Sequence, residues 1–308
     1  MPELAARLVG LRQSLVAPMV SEIRQITSDR QRTIKRLLRN PRIVGGGLVI
    51  VALLFGAVFT PSLSSKDPLK QNLLARLTSP QGFSGPYPLG TDSLGRDIFT
   101  RILFGARVSL AVGFLTVIIS GAIGVILGLF AGYYRGRTDS LLSRAADIQL
   151  SIPVIIMAIV LLAMVGPSVL NIIMVMAISR WMLYFRLVRG IVLGLMSSPM
   201  IEAARVIGAS SGRIFFSHLL ANLWTPVIVV STQQMAQIIL LEATLSFLGL
   251  GIPPSVPSWG MMVSQGRNYI ETAWWVITFP GLAIFVTTLA INFVGDGLRD
   301  FLDPRRRN

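Results

Sequence analysis

The chain has 308 residues, of which 53% are hydrophobic and 14% are charged, and its formal net charge is +14. It is more apolar and less charged than a soluble domain of this size. The 28 Lys and Arg residues stand mostly singly beside apolar runs, without a basic recognition helix, so the charge does not indicate nucleic-acid binding. The absence of cysteine excludes disulfides and thiolate metal sites. Together these features indicate a polytopic membrane protein.

Residues 1–42 form a polar N-terminal tail that holds nine basic and three acidic residues. Leu4, Leu8, Leu11 and Leu15 recur at helical spacing within it. Two alternatives stay equal at this point. The tail contains an amphipathic helix on the membrane surface, or it is a partly disordered cytoplasmic segment.

Uncharged runs long enough to cross about 30 Å of hydrocarbon predict six transmembrane helices and an all-α fold. The predicted spans are residues 43–65, 108–134, 148–165, 168–187, 224–249 and 272–295. The chain then divides into a tail (1–42), a first span with an external segment (43–107), a transmembrane core (108–295) and a C-terminal tail (296–308). Small residues allow membrane helices to approach closely, so a row of glycines in the second span predicts tight packing there. These are Gly113, Gly121, Gly124, Gly128 and Gly132.

Basic residues favour the cytoplasmic side of a membrane. With six spans, one side of the membrane holds 21 Lys and Arg residues and the other holds seven. The richer side contains both termini and the long loop of residues 188–222. The sequence therefore predicts that both termini are cytoplasmic.

The segment from Gly90 to Asp97 in the external region has the composition of a tight turn that leads into a helix. Thr91 or Asp92 can cap the turn, Gly95 permits an unusual backbone conformation, and apolar residues recur at helical spacing afterwards. An interfacial helix before the second span is expected. A catalytic pair formed by Asp92 and Asp97 has no other support in the sequence.

Residues 199–208, in the loop of residues 188–222, form a short amphipathic segment. Ser198 can cap a helix, Pro199 suits its first position, Glu202 favours the positive end of the helix dipole, and Gly208 ends the helix. Two turns are too short to be stable alone in water, so the segment is expected to dock on another surface.

The expected contact surface of this helix is small and apolar. Ala203, Val206 and Ile207 fall on one face, and Ala204 is small enough to allow close approach of another surface. Arg205 and Arg213 place positive charge beside it.

The sequence from Glu202 to Ala209 resembles the loop motif of bacterial ABC-importer permeases, in which a short coupling helix inserts into a groove on the cytoplasmic ATPase. On that resemblance we assign ATPase coupling to Glu202, Ala203, Ala204, Arg205, Gly208 and Ala209. Flanking residues resemble the dipeptide and oligopeptide permeases in particular. These are Trp181, Tyr184, Arg186, Arg189, Gly190, Arg213, His218 and Leu219. One position differs, because Ala221 stands where that family usually has proline.

A second match lies in the external region and resembles the segment before the second helix of the same permeases. It consists of Gly90, Thr91, Asp92, Gly95, Arg96 and Asp97. The resemblance implies a non-catalytic subunit in the bacterial inner membrane, in contact with lipid and paired with a homologous permease. It also implies two cytoplasmic ATPase subunits or domains and an external substrate-binding protein, with peptides or related solutes as cargo.

No phosphate-binding loop of the G-x-x-x-x-G-K-[ST] type occurs in the sequence. ATP and Mg²⁺ are therefore expected on the partner ATPases, and no cofactor is expected on this chain. The alternatives are a self-contained secondary transporter or channel and a membrane anchor without transport. A transporter of that kind usually shows internal repeats or several intramembrane titratable groups, and Glu242 alone clearly qualifies. Glu242 is expected either at a helix interface or along the transport pathway.

Overall fold

The computed structural model describes residues 40–302, which contain nine helices of eight residues or more. They are α1 (Pro41–Val58), α2 (Ile98–Tyr134), α3 (Gly136–Leu150), α4 (Val154–Val165), α5 (Val169–Met196), α6 (Pro199–Val206), α7 (Leu220–Phe247), α8 (Trp259–Gly266) and α9 (Trp275–Leu302). Five helical runs are long and apolar enough to cross a membrane, and the bent pair of α3 and α4 makes a sixth candidate. The predicted all-α fold is confirmed. The leucine repeat of the N-terminal tail and residues 303–308 lie outside the described part.

The α2 and α5 helices pack side by side in the same direction, and the glycines of α2 form the contact. A Cβ atom added at Gly124 would lie 2.3 Å from the carbonyl oxygen of Trp181, and one added at Gly128 would lie 2.8 Å from that of Phe185. Such backbone approach requires the smallest side chain. The predicted tight packing is confirmed for the α2 and α5 pair.

The α7 helix joins two apolar clusters of the described residues. One cluster holds side chains of α2, α4, α5 and α7, and the other holds side chains of α1, α2, α7 and α9 around the fully buried Trp259 of α8. The α1 helix packs antiparallel to α9, where an added Cβ atom at Gly46 would lie 2.6 Å from the carbonyl oxygen of Ala290.

The predicted third span of residues 148–165 is wrong as a single helix. The α3 helix ends at Leu150, Pro153 precedes α4, and the two helix axes differ by 89°. Proline lacks a backbone N–H and disfavours the helical conformation of the residue before it, which favours a helix boundary at Pro153. The 12 residues of α4 span only about 18 Å.

Besides α2, which begins at Ile98 and not at 108, three helices extend well beyond the apolar runs that predicted them. The α5 helix continues to Met196, α9 continues to Leu302, and the helical run that contains α7 begins at Ser211 with a π-helical segment, Ile214–Leu219. Hydropathy marks the part of a helix that lies in hydrocarbon, and charged or polar turns can prolong it on either side. The π-helical segment runs directly into α7, so the chain has no helix break at Ala221, the position where the permease family usually has proline.

Candidate functional site

The α6 loop, residues 197–210, contains the predicted amphipathic helix. The α6 helix begins at Pro199 as predicted, and Ser198 occupies the capping position with an extended backbone. Its side chain does not cap the helix, however. The Ser198 Oγ instead donates to the carbonyl oxygen of Leu195 at 2.6 Å, which fixes the turn between α5 and α6.

The α6 helix ends at the predicted glycine. Gly208 has φ +81°, its N–H donates to the carbonyl oxygen of Arg205 at 3.0 Å, and the N–H of Ala209 donates to that of Ala204 at 2.9 Å. This pair of bonds is a Schellman motif, which satisfies the free carbonyls of a helix end and requires a left-handed residue after it. Gly208 and Ala209 therefore have a structural role in ending α6.

The two faces of α6 differ in what they contact. Ile201 is fully buried and Ala204 is 6% exposed, and Ile201 belongs to an apolar cluster with side chains of α2, α5 and α7. Val206 and Ile207 are 86% and 83% exposed, and Ala203 is exposed beside them. Ala204 therefore faces the chain's own core, so the expectation that it offers surface to a partner is wrong. The charged Glu202 and Arg205 are exposed.

Ion pairs hold α3 against the end of α5 that leads to α6. Arg189 and Asp139 form an ion pair with two hydrogen bonds, one from Arg189 Nε to Asp139 Oδ1 and one from Arg189 Nη2 to Asp139 Oδ2 at 2.8 Å. The hydrogen bonds from Arg189 lower the pKa of Asp139 below its usual range. Arg186 pairs with Asp147 at 2.5 Å, and the guanidinium of Arg135 donates to Ser197 Oγ at 3.3 Å.

At the other end of α2 lies the Asp92 cluster, formed by Asp92, Arg96, Arg101 and Gln265. Asp92 Oδ2 accepts a hydrogen bond from Arg96 Nε at 2.7 Å and another from Arg101 Nη1. The Nη2 atoms of both arginines donate to Gln265 Oε1 of α8, each at 3.0 Å. All three charged side chains are almost completely buried. A buried carboxylate with two arginine partners is a structural ion cluster, and it leaves no free carboxylate pair for catalysis.

The predicted turn around Gly95 is confirmed in detail. Asp92 Oδ1 accepts from the N–H groups of Leu94 and Arg96 at 2.8 and 3.0 Å, and Gly95 has φ +71°. A Cβ atom on Gly95 would lie 1.8 Å from the carbonyl oxygen of Asn72, so the turn also requires glycine for space.

The remaining residues of the external motif hold this turn to its neighbours. Gly90 has φ +80° and lies against Trp275, whose indole Nε1 donates to the carbonyl oxygen of Thr91 at 3.2 Å. Asp97 caps α2, where its side chain accepts from the N–H of Thr100 at 3.3 Å. The expected interfacial helix is therefore the first part of α2 itself.

Glu242 lies near the end of α7, five residues before Phe247, and is 1% exposed. Its Oε1 atom accepts hydrogen bonds from Ser246 Oγ at 2.8 Å and Ser258 Oγ at 3.3 Å, and it lies against Gly260 of α8. Glu242 therefore lies at a helix interface, which was one of its two expected positions. Residues 40–302 contain no group of three His, Asp or Glu side chains that could hold a metal ion.

Arg180 lies within α5, with 11 residues of the helix before it and 16 after it. This position agrees with the predicted span of residues 168–187. The count of 21 basic residues on the cytoplasmic side included Arg180, and this assignment is wrong because the residue lies inside the helix between apolar residues from Ile172 to Met182.

Two protein families match the chain. Residues 124–308 match the family described as binding-protein-dependent transport system inner membrane component. Residues 28–80 match the N-terminal transmembrane domain of oligopeptide transport permease C. The chain belongs to the binding-protein-dependent transport permeases.

Individual relatives agree with this assignment. The dipeptide transport system permease protein DppC of Alkalihalophilus pseudofirmus is 42% identical over 281 residues, which cover 91% of each chain. The di/tripeptide transport system permease protein DppC of Pseudomonas aeruginosa is 40% identical over 272 residues, covering 87% of this chain and 90% of the relative. A solved chain of the MetNI methionine ABC transporter in an inward-facing conformation has 20% identity and a TM-score of 0.50. It covers 66% of this chain and 97% of that chain, and it supports the fold alone.

Family membership makes this permease a non-catalytic membrane subunit of an ATP-driven importer in the bacterial inner membrane, with ATP hydrolysis on partner subunits. A self-contained secondary transporter and a passive membrane anchor do not fit this family.

Proposed function

We propose that this permease pairs with a homologous second permease to form a pathway for peptides or related small solutes. Two cytoplasmic ATPase subunits or domains, which bind ATP and Mg²⁺, would drive transport, and an external binding protein would deliver the cargo. Support for the cargo class comes from the relatives, whose names specify dipeptide and di/tripeptide transport.

The exposed face of α6 is the observation that carries the coupling role. Val206 and Ile207 are large apolar side chains that nothing within residues 40–302 covers, and Ala203 beside them leaves room for close approach. Adjacent exposed apolar side chains at the end of a short helix can supply the contact surface for a partner. Glu202 and Arg205 flank it with opposite charges, which can fix the orientation of an ATPase groove.

Movement of an ATPase groove would pass from α6 to the membrane helices through the packed face of α6. Ile201 lies in a cluster with Val192, Met196, Ile214 and Leu223, so displacement of α6 acts on α5 and α7 together. In alternating access, closure of the ATPase pair on ATP would thereby open the pathway outward, and hydrolysis would reset it.

The α6 loop and the Asp92 cluster lie at opposite ends of α2, which has 37 residues and is about 55 Å long. The α6 end also carries Arg135 and the arginines of α3. By the positive-inside rule, we place the α6 loop and both termini in the cytoplasm and the Asp92 cluster outside.

Paired aspartates on the exposed face of α6 test the proposed coupling. Val206→Asp with Ile207→Asp should leave the permease folded, because both positions are exposed, but should place charge in the ATPase contact. We expect at least about a tenfold loss of co-purifying ATPase subunits, since burying unpaired charge in an interface is costly.

The matched control is Leu73→Asp with Leu74→Asp, two exposed leucines near the Asp92 cluster. This control should purify with the normal amount of ATPase. Normal ATPase association and normal substrate-stimulated hydrolysis in the α6 double variant would place the coupling surface elsewhere.

A further inference from the structure

Arg180 is a cation near the middle of a predicted membrane span. It lies about 16 Å from the start of α5 and about 24 Å from its end. A charged side chain at such depth is costly in hydrocarbon, so it normally faces protein or a water-filled path and takes part in function. Its side chain is half-buried against α7.

The guanidinium of Arg180 is held by neutral groups. Its Nη1 atom donates to Gln237 Oε1 at 3.1 Å and approaches Gln234 Oε1 at 3.5 Å, and its Nε atom is buried with no partner. No carboxylate lies within ion-pair distance of it in residues 40–302.

Five other arginines within residues 40–302 show the contrast. Each of them has a carboxylate partner: Arg42, Arg96, Arg101, Arg186 and Arg189. The amides of Gln234 and Gln237 can orient the Arg180 guanidinium, but they cannot neutralise its charge. An anion would supply both the missing charge and an acceptor for the free Nε–H.

The polar surface at Arg180 continues along α7 toward the α6 end. Gln233 and Gln237 are four residues apart and share one face of the helix. Gln233 lines a cavity of about 490 Å³ together with Leu187 of α5 and Arg299 of α9. Gln237, which contacts Arg180, and Gln233, which lines this cavity, therefore connect the surroundings of Arg180 to the cavity along one face of α7.

We propose that Arg180 binds the terminal carboxylate of a peptide cargo during its passage between the two permeases. This inference rests on the proposed function in peptide transport. Guanidinium presents a planar fork that matches a carboxylate with two hydrogen bonds, which suits Arg180 to this group. Because the amides leave the cation without a resident counter-ion, a cargo carboxylate can bind and leave without displacing one.

The test compares two probes in the complete importer, reconstituted in liposomes with its binding protein. The probes are dialanine and dialanine amide, which lacks the terminal negative charge. The binding protein is loaded to saturation with each probe in turn, so that its own preference does not limit uptake. The ratio of the two maximal uptake rates then reports the preference of the permeases for the carboxylate.

The wild-type complex should prefer dialanine, and Arg180→Gln should lower this preference by about tenfold or more, the loss expected for one charge-assisted pair. Arg180→Lys keeps the charge but not the fork and should retain part of the preference. Arg144→Gln, which removes an exposed arginine of α3, serves as the matched control and should leave the ratio unchanged.

Three results would overturn the inference. An unchanged uptake ratio in Arg180→Gln would show that the cargo carboxylate does not meet this residue. Loss of the second permease from purified Arg180→Gln would show that Arg180 pairs with that subunit instead. A wild-type complex that transports neither probe nor any other small peptide would overturn the proposed function itself, and this inference with it.

Discussion

The two ends of α2 differ in which side chains are buried: one end buries charged side chains, and the other exposes apolar ones. In the Asp92 cluster, charged side chains are buried and bonded to one another, to Gln265 and to backbone N–H groups, with the buried Arg101 Nε left without a partner. In the α6 loop, apolar Val206 and Ile207 are exposed and have no cover among the described residues. The Asp92 cluster is held by contacts within the chain, whereas in the proposed coupling an ATPase would cover Val206 and Ile207.

This difference shows that a family sequence motif can maintain either a fold or a contact surface. Both regions match the pattern of the same permease family, but the motif from Gly90 to Asp97 maintains the shape of a turn, and the motif from Glu202 to Ala209 maintains an outward surface. Substitutions at the first should therefore reduce stability, and substitutions on the outward face of the second should reduce association.

The largest effect is expected for Asp92→Ala. This change removes the carboxylate that pairs with both Arg96 and Arg101, and it leaves two buried cations without a counter-ion. Breaking one side of a buried ion pair typically costs about 3–5 kcal/mol. The midpoint of thermal unfolding of the purified permease in detergent should fall by several degrees or more.

Glu271→Ala is the matched control for this measurement, because it removes an exposed carboxylate near α8. It should leave the midpoint almost unchanged. Equal stability of Asp92→Ala and Glu271→Ala would mean that the Asp92 cluster does not hold this end together.

A matched pair of glycine substitutions sharpens the comparison further. Gly95 and Gly208 both have positive φ, but an added Cβ atom at Gly95 meets the carbonyl oxygen of Asn72, whereas none of the described atoms lies within 4 Å of one at Gly208. Gly208→Ala should cost about 1–2 kcal/mol from backbone strain alone. Gly95→Ala adds overpacking, for a total of about 2–5 kcal/mol.

Thermal unfolding and ATPase association should separate these two variants. Gly95→Ala should unfold at the lower temperature but keep its ATPase subunits when folded. Gly208→Ala should unfold closer to the wild type and lose more ATPase, because it shifts the end of α6. The reverse order in both measurements would contradict the division between a structural role for the Asp92 cluster and an association role for the α6 loop.

Local features of the sequence predicted most of the backbone, and non-local contacts account for what they missed. The turn at Gly95, the start of α6 at Pro199 and its end at Gly208 depend on neighbouring residues, so composition and spacing were enough. The close packing at the α2 glycines could also be predicted, because small residues at helical spacing in membrane helices usually allow another helix to approach closely.

Periodicity could not say which face of α6 would be covered by the chain itself. Ile201 and Ala204 lie on one side and Val206 and Ile207 on another, and a two-turn helix has apolar residues on both. Their division depends on the cluster with α5 and α7, which is a tertiary contact. Gln265 was missed for the same reason, since it meets Arg96 from 169 residues away.

The smallest effect is expected at the ion pair between Asp139 of α3 and Arg189 of α5. Hydrogen bonds from Arg189 lower the pKa of Asp139 in the folded protein. The stability from this pair is therefore fully present above the unfolded pKa, about 3.9, and is lost as pH falls through the lower folded pKa. Because the pair is partly exposed to solvent, Asp139→Asn should cost only about 0.5–1 kcal/mol at neutral pH.

Asp147→Asn provides the matched control, since Asp147 and Arg186 form a more exposed pair joining the same two helices. Unfolding midpoints of the wild type and both variants should be compared at pH 7 and at a series of pH values below 4. Asp139→Asn should lie below Asp147→Asn at pH 7, and its difference from the wild type should shrink as Asp139 of the wild type becomes protonated. If the difference instead stayed constant down to the lowest pH at which the protein is folded, the carboxylate charge would not hold α3 to α5. The attachment of α3 to α5 near the α6 loop would then depend on the apolar contacts of Ala146 and Leu142 with Phe185, which no change of pH alters.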